Sequence, residues 1–469
     1  MYFQIFGGSR IKKVFEMKSI SSKVLCIIVF IMIAFQAYAQ PNEDTRSLSK
    51  VITSQYQAGR KRIVVPSGNY YTGKTITLDS KFSGIQIVAN NDSTVFSSHN
   101  GPVFDLKEVH NVTISGFTMR SYDESNPNSP IAFVFPQKAF EKQKTTAIKI
   151  TDSEDVEISD NRISGYYYGI FISFDKGSCK NITVARNYVS DCGYQSIAAR
   201  HGVRNPTQAN RLVNMRLIKN TITRCEQGPV FKGVTESIIE ENEVHGNING
   251  IRVEGSERNV IRNNQIHHNL KMGVLLYYSS DNSVEYNKIF DNNLQSARIA
   301  KIAKMHGADP NYLPGDLVCF DRHSRSDAAS YSRKVKGKAN MTDFNPDFWP
   351  YPTSYEHITP GSKFGSATPE EFAKYWGIHF CQFSGVGILL QQSSSKNRLE
   401  HNEIFNSKPV RMETGYMPYA IRIAQLNLLD PIAYASRGNI IRNNKIENMV
   451  KGVILDDNIK LGIKADNQY

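Results

Sequence analysis

Arg200, Lys232, Glu254 and Tyr277 each close a short segment of the general type Gly-Ile-x-Leu, at spacings of 32, 22 and 23 residues. Cations, a carboxylate and a phenol are the groups that elimination across a uronic acid requires. The proton α to the uronate carboxylate is hardly acidic until that charge is neutralised, and Arg200, Arg252 or a calcium ion can neutralise it. A lysine crowded by other cations gives up its proton more readily, so Lys232 is the expected base. Tyr277 or His201 is the expected donor to the leaving oxygen. Calcium is the one cofactor this chemistry admits. Gln391 stands at the same strand position beyond a long interruption, Arg252 and Arg422 lie two residues before it in their own segments, and Tyr278 and Gln392 lie just after it. These five are expected to contact substrate.

Hydrolysis needs a different set, two carboxyl groups ~5 to 5.5 Å apart for retention or ~6.5 to 9.5 Å for inversion. Glu254 is one candidate. Asp316 or Asp321, from Gly315-Asp-Leu-Val-Cys-Phe-Asp-Arg-His323, is the other, with Arg322 and His323 beside them as further substrate contacts. Asp316, Asp321 and His323 could equally bind a metal or be ordinary surface. The same file of Arg200, Lys232 and Glu254 also reads as a non-catalytic polyanion-binding face, or as a ladder of exposed ion pairs worth ~0 to 1 kcal/mol each.

What places these residues in one file is a repeat. Asn161, Asn187, Asn220, Asn242, Asn264, Asn287, Asn402 and Asn444 each precede an Ile or Val by two residues and a strand by about eight, with closest spacings of 22, 22 and 23. That period, with one Asn and alternating apolar pairs per unit, predicts a parallel β-solenoid. In the strands from Gly169-Ile-Phe-Ile-Ser173 to Gly452-Val-Ile-Leu-Asp456 the second and fourth residues are apolar throughout. With a period of two these point inward, and the third and fifth point out. Ile163, Val189, Ile222, Val244, Ile266, Ile289, Ile404 and Ile446 form a second inward row. Each Asn is expected to turn the chain and to bond to the Asn of the adjacent coil.

The chain has 469 residues, and the repeat extends over most of them, so one long domain is expected rather than several. Residues 1–16 read as an upstream extension. Lys18, Lys23, the apolar run Val24 to Phe35 and Ala37-Tyr-Ala39 read as a signal peptide cleaved after Ala39, which implies a secreted or periplasmic protein. No later stretch approaches the ~20 apolar residues of a membrane span. Without residues 1–39 there are 51 Lys and Arg against 43 Asp and Glu, a net charge of +8. Outside the cytoplasm a basic protein suits acidic polysaccharide or a membrane surface more than nucleic acid. Of the five remaining cysteines, Cys192 and Cys225 stack in adjacent coils, bonded or simply packed, and Cys319 and Cys381 could clasp the interruption. No Cys-x-x-Cys is present, which argues against a structural zinc site.

Leu48, Val51, Ile52 and Tyr56 predict an amphipathic helix that caps the first coil. Between Asn287 and Asn402 lie 115 residues where about 23 would complete a coil, so a lobe of some ninety residues is inserted, with helices expected at Leu294 to His306 and Thr368 to Trp376. The domains expected are the upstream residues and signal peptide over 1–39, N-terminal coils over 40–292, the aromatic-rich lobe over 293–383, and C-terminal coils over 384–469. Trp349, Trp376, Phe344, Phe348, Tyr351 and Tyr355 would form the core of that lobe or stack on sugar rings.

With Arg62-Ile-Val-Val-Pro-Ser-Gly-Asn-Tyr70 following the capping helix, the chain resembles the pectate-lyase-like right-handed parallel β-helix superfamily. The fold class this implies is all-β, a single-stranded right-handed parallel β-helix with an N-terminal capping helix and a large inserted lobe. Ala198-Ala-Arg-His-Gly202 and Gly250-Ile-Arg-Val-Glu254 resemble pieces of the alginate and dermatan-type lyase family, in which a lysine and an arginine on such strands serve as base and acid. The chain departs from that family in placing Lys232 one coil after Arg200, and Glu226 is the one residue comparable to its calcium-binding glutamates. The Asn-Thr-Asp, Asp-Asp and Gly-His-Gly motifs of polygalacturonases are absent. The function expected is a secreted enzyme acting on an acidic polysaccharide, by elimination, with hydrolysis or carbohydrate binding alone as alternatives. Copper-maturation proteins also carry similar repeats, but copper calls for clustered Met and His, and His267-His268 is the sole adjacent His pair.

Overall fold

Two-residue corners set the whole architecture. At each one the first residue adopts a left-handed conformation (Asp160, Arg186, Lys219, Glu241, Asn263, Tyr286, His401, Asn443 and Asp466, φ between 53° and 58°) and the second is a ladder asparagine. Those asparagines are buried apart from the partly exposed Asn467, and from Asn187 onward each accepts, through its side-chain oxygen, the backbone N–H and amide of the preceding coil's Asn, as Asn264 does from Asn242 at 3.0 and 2.9 Å. The ladder runs from Asn161 through all eight expected positions to a ninth, Asn467.

The computed structural model describes residues 47–90, 93–97, 101–121, 145–200, 212–269, 271–293, 385–391, 393–408, 417, 419–424, 436–449, 451–455 and 460–468. Three parallel sheets stack coil on coil. The first runs from Arg62–Val65 to Lys460–Ala465, the second from Gly68–Thr72 to Lys445–Glu447, the third from Ile76–Leu78 to Lys451–Leu455. The fold is thus the expected parallel β-helix, and both predicted inward rows are buried between the sheets. A helix at Leu48–Gln57, capped by Ser47, buries Leu48 and Ile52 and packs on the first strands, as the amphipathic pattern predicts.

The expected signal peptide and the expected inserted lobe, with the helices and aromatic core predicted for it, lie outside the described residues, as do Cys319 and Cys381. The stack itself is continuous across the insertion. Met272–Tyr277 pairs directly with Val386–Gln391, with Val274 opposite Ile388 and Tyr277 opposite Gln391. Cys179, Cys192 and Cys225 are buried free thiols, so the Cys192 and Cys225 column is packed rather than bonded.

Two ladders were not foreseen. Asn259, Asn282, Asn397 and Asn439 form one, and Asn247, Asn269 and Asn292 form another, at the corner where the chain enters the third sheet. The second continues the cysteine column, since Cys225 N–H donates to Asn247 Oδ1 at 2.9 Å. Its signal was available as an Asn five residues after Asn242, Asn264 and Asn287, the position held by Cys192 and Cys225 in earlier coils.

The glycine column at the start of the third-sheet strands exists because neighbouring coils touch there. A Cβ on Gly250 would collide with the carbonyl oxygen of Gly273 and approach Ile266 Cγ2 to 3.0 Å. Ser196 and Ala420 occupy equivalent positions, so the stack yields to a small side chain at some cost. Gly250→Ala is expected to lower stability by about 1–3 kcal/mol, read as a lower urea midpoint with an unchanged slope.

Corners between the first and second sheets stay at two residues from Ser159 onward.

Candidate functional site

On the outward face of the third sheet, register places Arg200 opposite Lys232, Lys232 opposite Glu254, Glu254 opposite Tyr277 and Tyr277 opposite Gln391. Within that file the contacts are those of a triad rather than a simple ladder. Glu254 Oε1 accepts from Lys232 Nζ at 3.0 Å and its Oε2 accepts from Arg252 Nη2 at 2.9 Å. Burial pushes the Glu254 carboxyl up, but Arg252 and Lys232 outweigh it and hold it below the usual carboxylate range. Lys232, the expected base, is therefore the counter-ion of Glu254. The triad keeps one net positive charge. Arg200, one coil earlier, donates to Gln195 at 3.4 Å.

A second column, one step nearer the preceding corner, was not anticipated. Backbone bonds from Tyr194 to Tyr167, Gln227 to Tyr194, Asn249 to Glu226 and Lys271 to Ile248 align Tyr167, Tyr194, Glu226, Ile248 and Lys271 in successive coils. Tyr167 and Tyr194 stack at 5.3 Å, and Tyr168 meets both edge-on at 4.8 and 5.6 Å while lying 4.8 Å from Phe171. Glu226 retains partial exposure, yet its carboxyl is packed closely enough that burial pushes it up to about 7, against the pull of Lys271, Gln227 and Arg252. Lys271 is buried, and burial lowers its ammonium to about 7 against the attraction of Glu226. Burial likewise raises the Tyr168 phenol, opposed by Arg200 and supported by Tyr194 and Glu226. One sequence signal existed, the run Tyr166-Tyr-Tyr168 followed by Tyr194.

Between the two columns sit unmet polar atoms. Arg252 Nε and Gln227 Oε1 are buried without a hydrogen-bond partner. A buried donor or acceptor left without a partner costs roughly 1–3 kcal/mol.

Further along the sheet the outward face turns apolar. Met272, Leu275, Val386, Leu389, Tyr419 and Ala424 are buried together, and Tyr277 packs at their edge. Gln391 and Arg422, both expected to contact substrate, are buried there at 2% and 7% exposure. Tyr278 is exposed, in a left-handed conformation, edge-on to Tyr277 at 4.6 Å. His201, Gln392, Asp316, Asp321, Arg322 and His323 lie outside the described residues.

Histidines gather elsewhere, on the outward face of the second sheet. His245, His267, Phe290 and Phe405 occupy successive rungs and stack at 5.1, 4.6 and 5.1 Å. Burial lowers both His245 and His267, against the pull of Glu243; His245 and His268 add to the lowering at His267, and His268 and Arg224 add to it at His245. Among the described residues no group of three or more His, Cys, Asp or Glu is placed to hold a metal ion.

Comparison with known proteins adds family and fold. A family profile described as periplasmic copper-binding protein (NosD) matches residues 67–306. No curated protein matches the chain. Among solved structures the Dettilon tailspike protein is similar at TM-score 0.53 and 12% identity, over 88% of this chain and 66% of that one. The A-module of mannuronan C-5 epimerase AlgE4 from Azotobacter vinelandii has TM-score 0.44 and 12% identity over 88% and 94%. DFA-IIIase from Arthrobacter chlorophenolicus A6, in complex with GF2, has TM-score 0.49 and 13% identity over 88% and 89%. The tailspike likeness is one of fold, the parallel β-helix.

Proposed function

This chain belongs to the NosD family of periplasmic β-helix proteins, and from that premise we propose that it works outside the cytoplasm on an acidic, uronate-containing polysaccharide, cleaving it by β-elimination on the third-sheet face. The observation that carries the reading is the Glu226 carboxyl, raised by burial to about 7 within reach of the charges of Lys271 and Arg252, in the same column as the stacked Tyr167 and Tyr194. Tyr168 and Tyr194, partly exposed beside the buried Tyr167, offer ring surface for sugars. Arg252, oriented by Glu254, neutralises the uronate carboxylate, and Lys232 holds Glu254 from the other side. Glu226, half ionised near neutrality, takes the C5 proton and delivers one to the departing O4 as the C4–O4 bond breaks and the C4–C5 double bond forms. Lys271 tunes Glu226 by its charge.

Hydrolysis fits less well. Glu226 is raised and Glu254 lowered, the separation an acid and a base would want. They stand six strand positions and one coil apart, which at ~3.3 Å per residue is up to about 20 Å of backbone, beyond the ~6.5 to 9.5 Å of an inverting pair even after side-chain reach.

Copper, named in the family's description, enters no step of this reaction. Cys179, Cys192, Cys225, Met119, Met215 and Met417 are buried in the apolar core, so their sulfurs build no accessible centre.

Incubation with alginate, pectate and glycosaminoglycans tests the proposal. One acidic polymer should yield the absorbance of an unsaturated uronate, and neutral glycans should not. Arg252→Ala should lower kcat/KM about 10- to 100-fold, as loss of a charge-assisted contact to the substrate predicts. New reducing ends without that absorbance would transfer the site to hydrolysis. Binding with neither product would reduce it to a recognition face.

A further inference from the structure

The histidine column on the second sheet has no part in glycan cleavage, and its geometry is specific. His268 follows His267 at the corner in a left-handed conformation, φ 51°, which brings its ring back against its neighbour. The two rings are perpendicular, 5.0 Å between centroids, and their Nδ1 atoms face each other at 2.8 Å. His267 also stacks between the rings of His245 and Phe290. Charged groups surround the cluster. Glu243 Oε1 lies 3.5 Å from His267 Nε2, and Asp291 Oδ2 lies 4.0 Å from His268 Nε2. Lys288 stands over Phe290 on the next coil, and Arg224, bonded to Asp191, acts on His245 from an earlier corner.

An Nδ1–Nδ1 contact at hydrogen-bond distance needs one N–H and one lone pair. Two neutral rings meet that need when one of them carries its proton on Nδ1. A pair with one added proton meets it better, because an N–H is then left at each Nε2 for the carboxylate beside it. Two imidazolium rings cannot meet it. Both Nδ1 atoms then carry hydrogen, and two N–H groups of like charge point at each other. The second added proton therefore breaks the contact. Parallel to His267 within 7°, His245 brings a third ring to the same place, 5.1 Å away.

Burial lowers His267, with His245 and His268 adding to the effect against the pull of Glu243. A histidine lowered in the folded state contributes stability that is present above its unfolded value, ~6.5, and is lost as pH falls through the folded one. The loss falls on a turn that matters. Asn269, next in the chain, is buried in the corner ladder between Asn247 and Asn292. Lys271, whose ammonium feels Glu226, follows two residues later.

We infer that His267 and His268 form an acid-sensitive latch on the turn from the second sheet to the third, closed while the pair holds at most one added proton and opened when both rings are charged. The latch stands apart from the glycan reading, since it needs neither substrate nor turnover.

Urea unfolding of the full chain tests it at about pH 7.5 and about pH 5, either side of the free histidine value. Wild type is compared with His267→Phe and His268→Gln at each pH, so that the titration of Glu226 and Lys271 cancels. His267→Phe keeps the ring column, as Phe290 and Phe405 already do. His268→Gln offers His267 both a donor and an acceptor, which suits either protonation state. Each variant should gain on wild type as pH falls, by a shift in the folding constant of about tenfold or more, the equivalent of one pKa unit. Glu243→Gln, which removes a charge favouring the imidazolium of His267, should deepen the acid loss. In hydrogen exchange at the lower pH, the Asn269 amide should be less protected in wild type than in His268→Gln. Variant-to-wild-type differences that stay constant within about twofold across this range overturn the latch, as does equal protection of Asn269 in the two proteins.

Discussion

Glu226→Gln should lower turnover of the acidic polysaccharide by about 10²- to 10⁴-fold, the usual worth of a positioned proton-transfer group, and at the same time make the protein more stable at neutral pH. The two effects share one cause. Burial raises the Glu226 carboxyl from 4.5 to about 7, so its favourable contribution to folding is present below about pH 4.5 and is lost as pH rises through about 7. Across that window the unfolded chain ionises the group more readily than the folded one, and stability falls with rising pH by ~1–3 kcal/mol. Glutamine keeps the shape and removes the ionisation. Lys271 works with the opposite sign. Its folded value is lowered from 10.5 to about 7, so its contribution is present above about 10.5 and lost as pH falls through about 7. Lys271→Met should move the acid limb of the activity profile to higher pH, because the positive charge that helps Glu226 ionise is gone. A Glu226→Gln protein with normal turnover would remove Glu226 from the chemistry. Loss of turnover without the stability gain would point to a packing defect.

The second large effect concerns the ladder. Asn264→Leu should destabilise the protein by about 3–5 kcal/mol, because buried polar groups are left without partners. Its amide donates to Ile239 O, Arg262 O and Asn287 Oδ1, each at 2.9 Å, and its oxygen accepts twice from Asn242. The bonds to Ile239, Asn287 and Asn242 are buried, at a corner where Asn242, Asn264 and Asn287 are each 1% exposed. Leucine fills the volume and satisfies none of them. Urea unfolding should show the lowered midpoint, and hydrogen exchange should show the loss spreading outward from this coil, since a solenoid coil is supported mainly by its neighbours. A loss below about 1 kcal/mol would mean that water replaces the amide.

The fold was legible because its constraints are local and repeated. Ile251 and Val253 alternate with Arg252 and Glu254, and that alternation alone assigns the first pair to the core and the second to the surface. The asparagine before each second-sheet strand announces a corner of fixed length, so Arg200, Lys232, Glu254 and Tyr277 could be aligned without a structure. Alignment of strand positions did not reveal which of them touch. Lys232 and Arg252 converge on one carboxylate because Arg252 and Glu254 share a face two residues apart while Lys232 stands one coil away.

Lys271, Tyr167 and Tyr194 escaped sequence reading, and Glu226 entered it only as a comparison with calcium-binding glutamates, for a physical reason. They sit where the chain bends into the third sheet, and the period-two rule that sorts inside from outside stops at a bend. His268 shows the same effect, since a left-handed residue turns a sequential neighbour into a facing one. The sequence by itself determined the coil and its register, because both follow from a short pattern repeated down the chain. Only the tertiary structure decided which carboxyl stays partly protonated near neutrality and which two nitrogens meet. Burial and distance arise from all the coils together and are written in no single one.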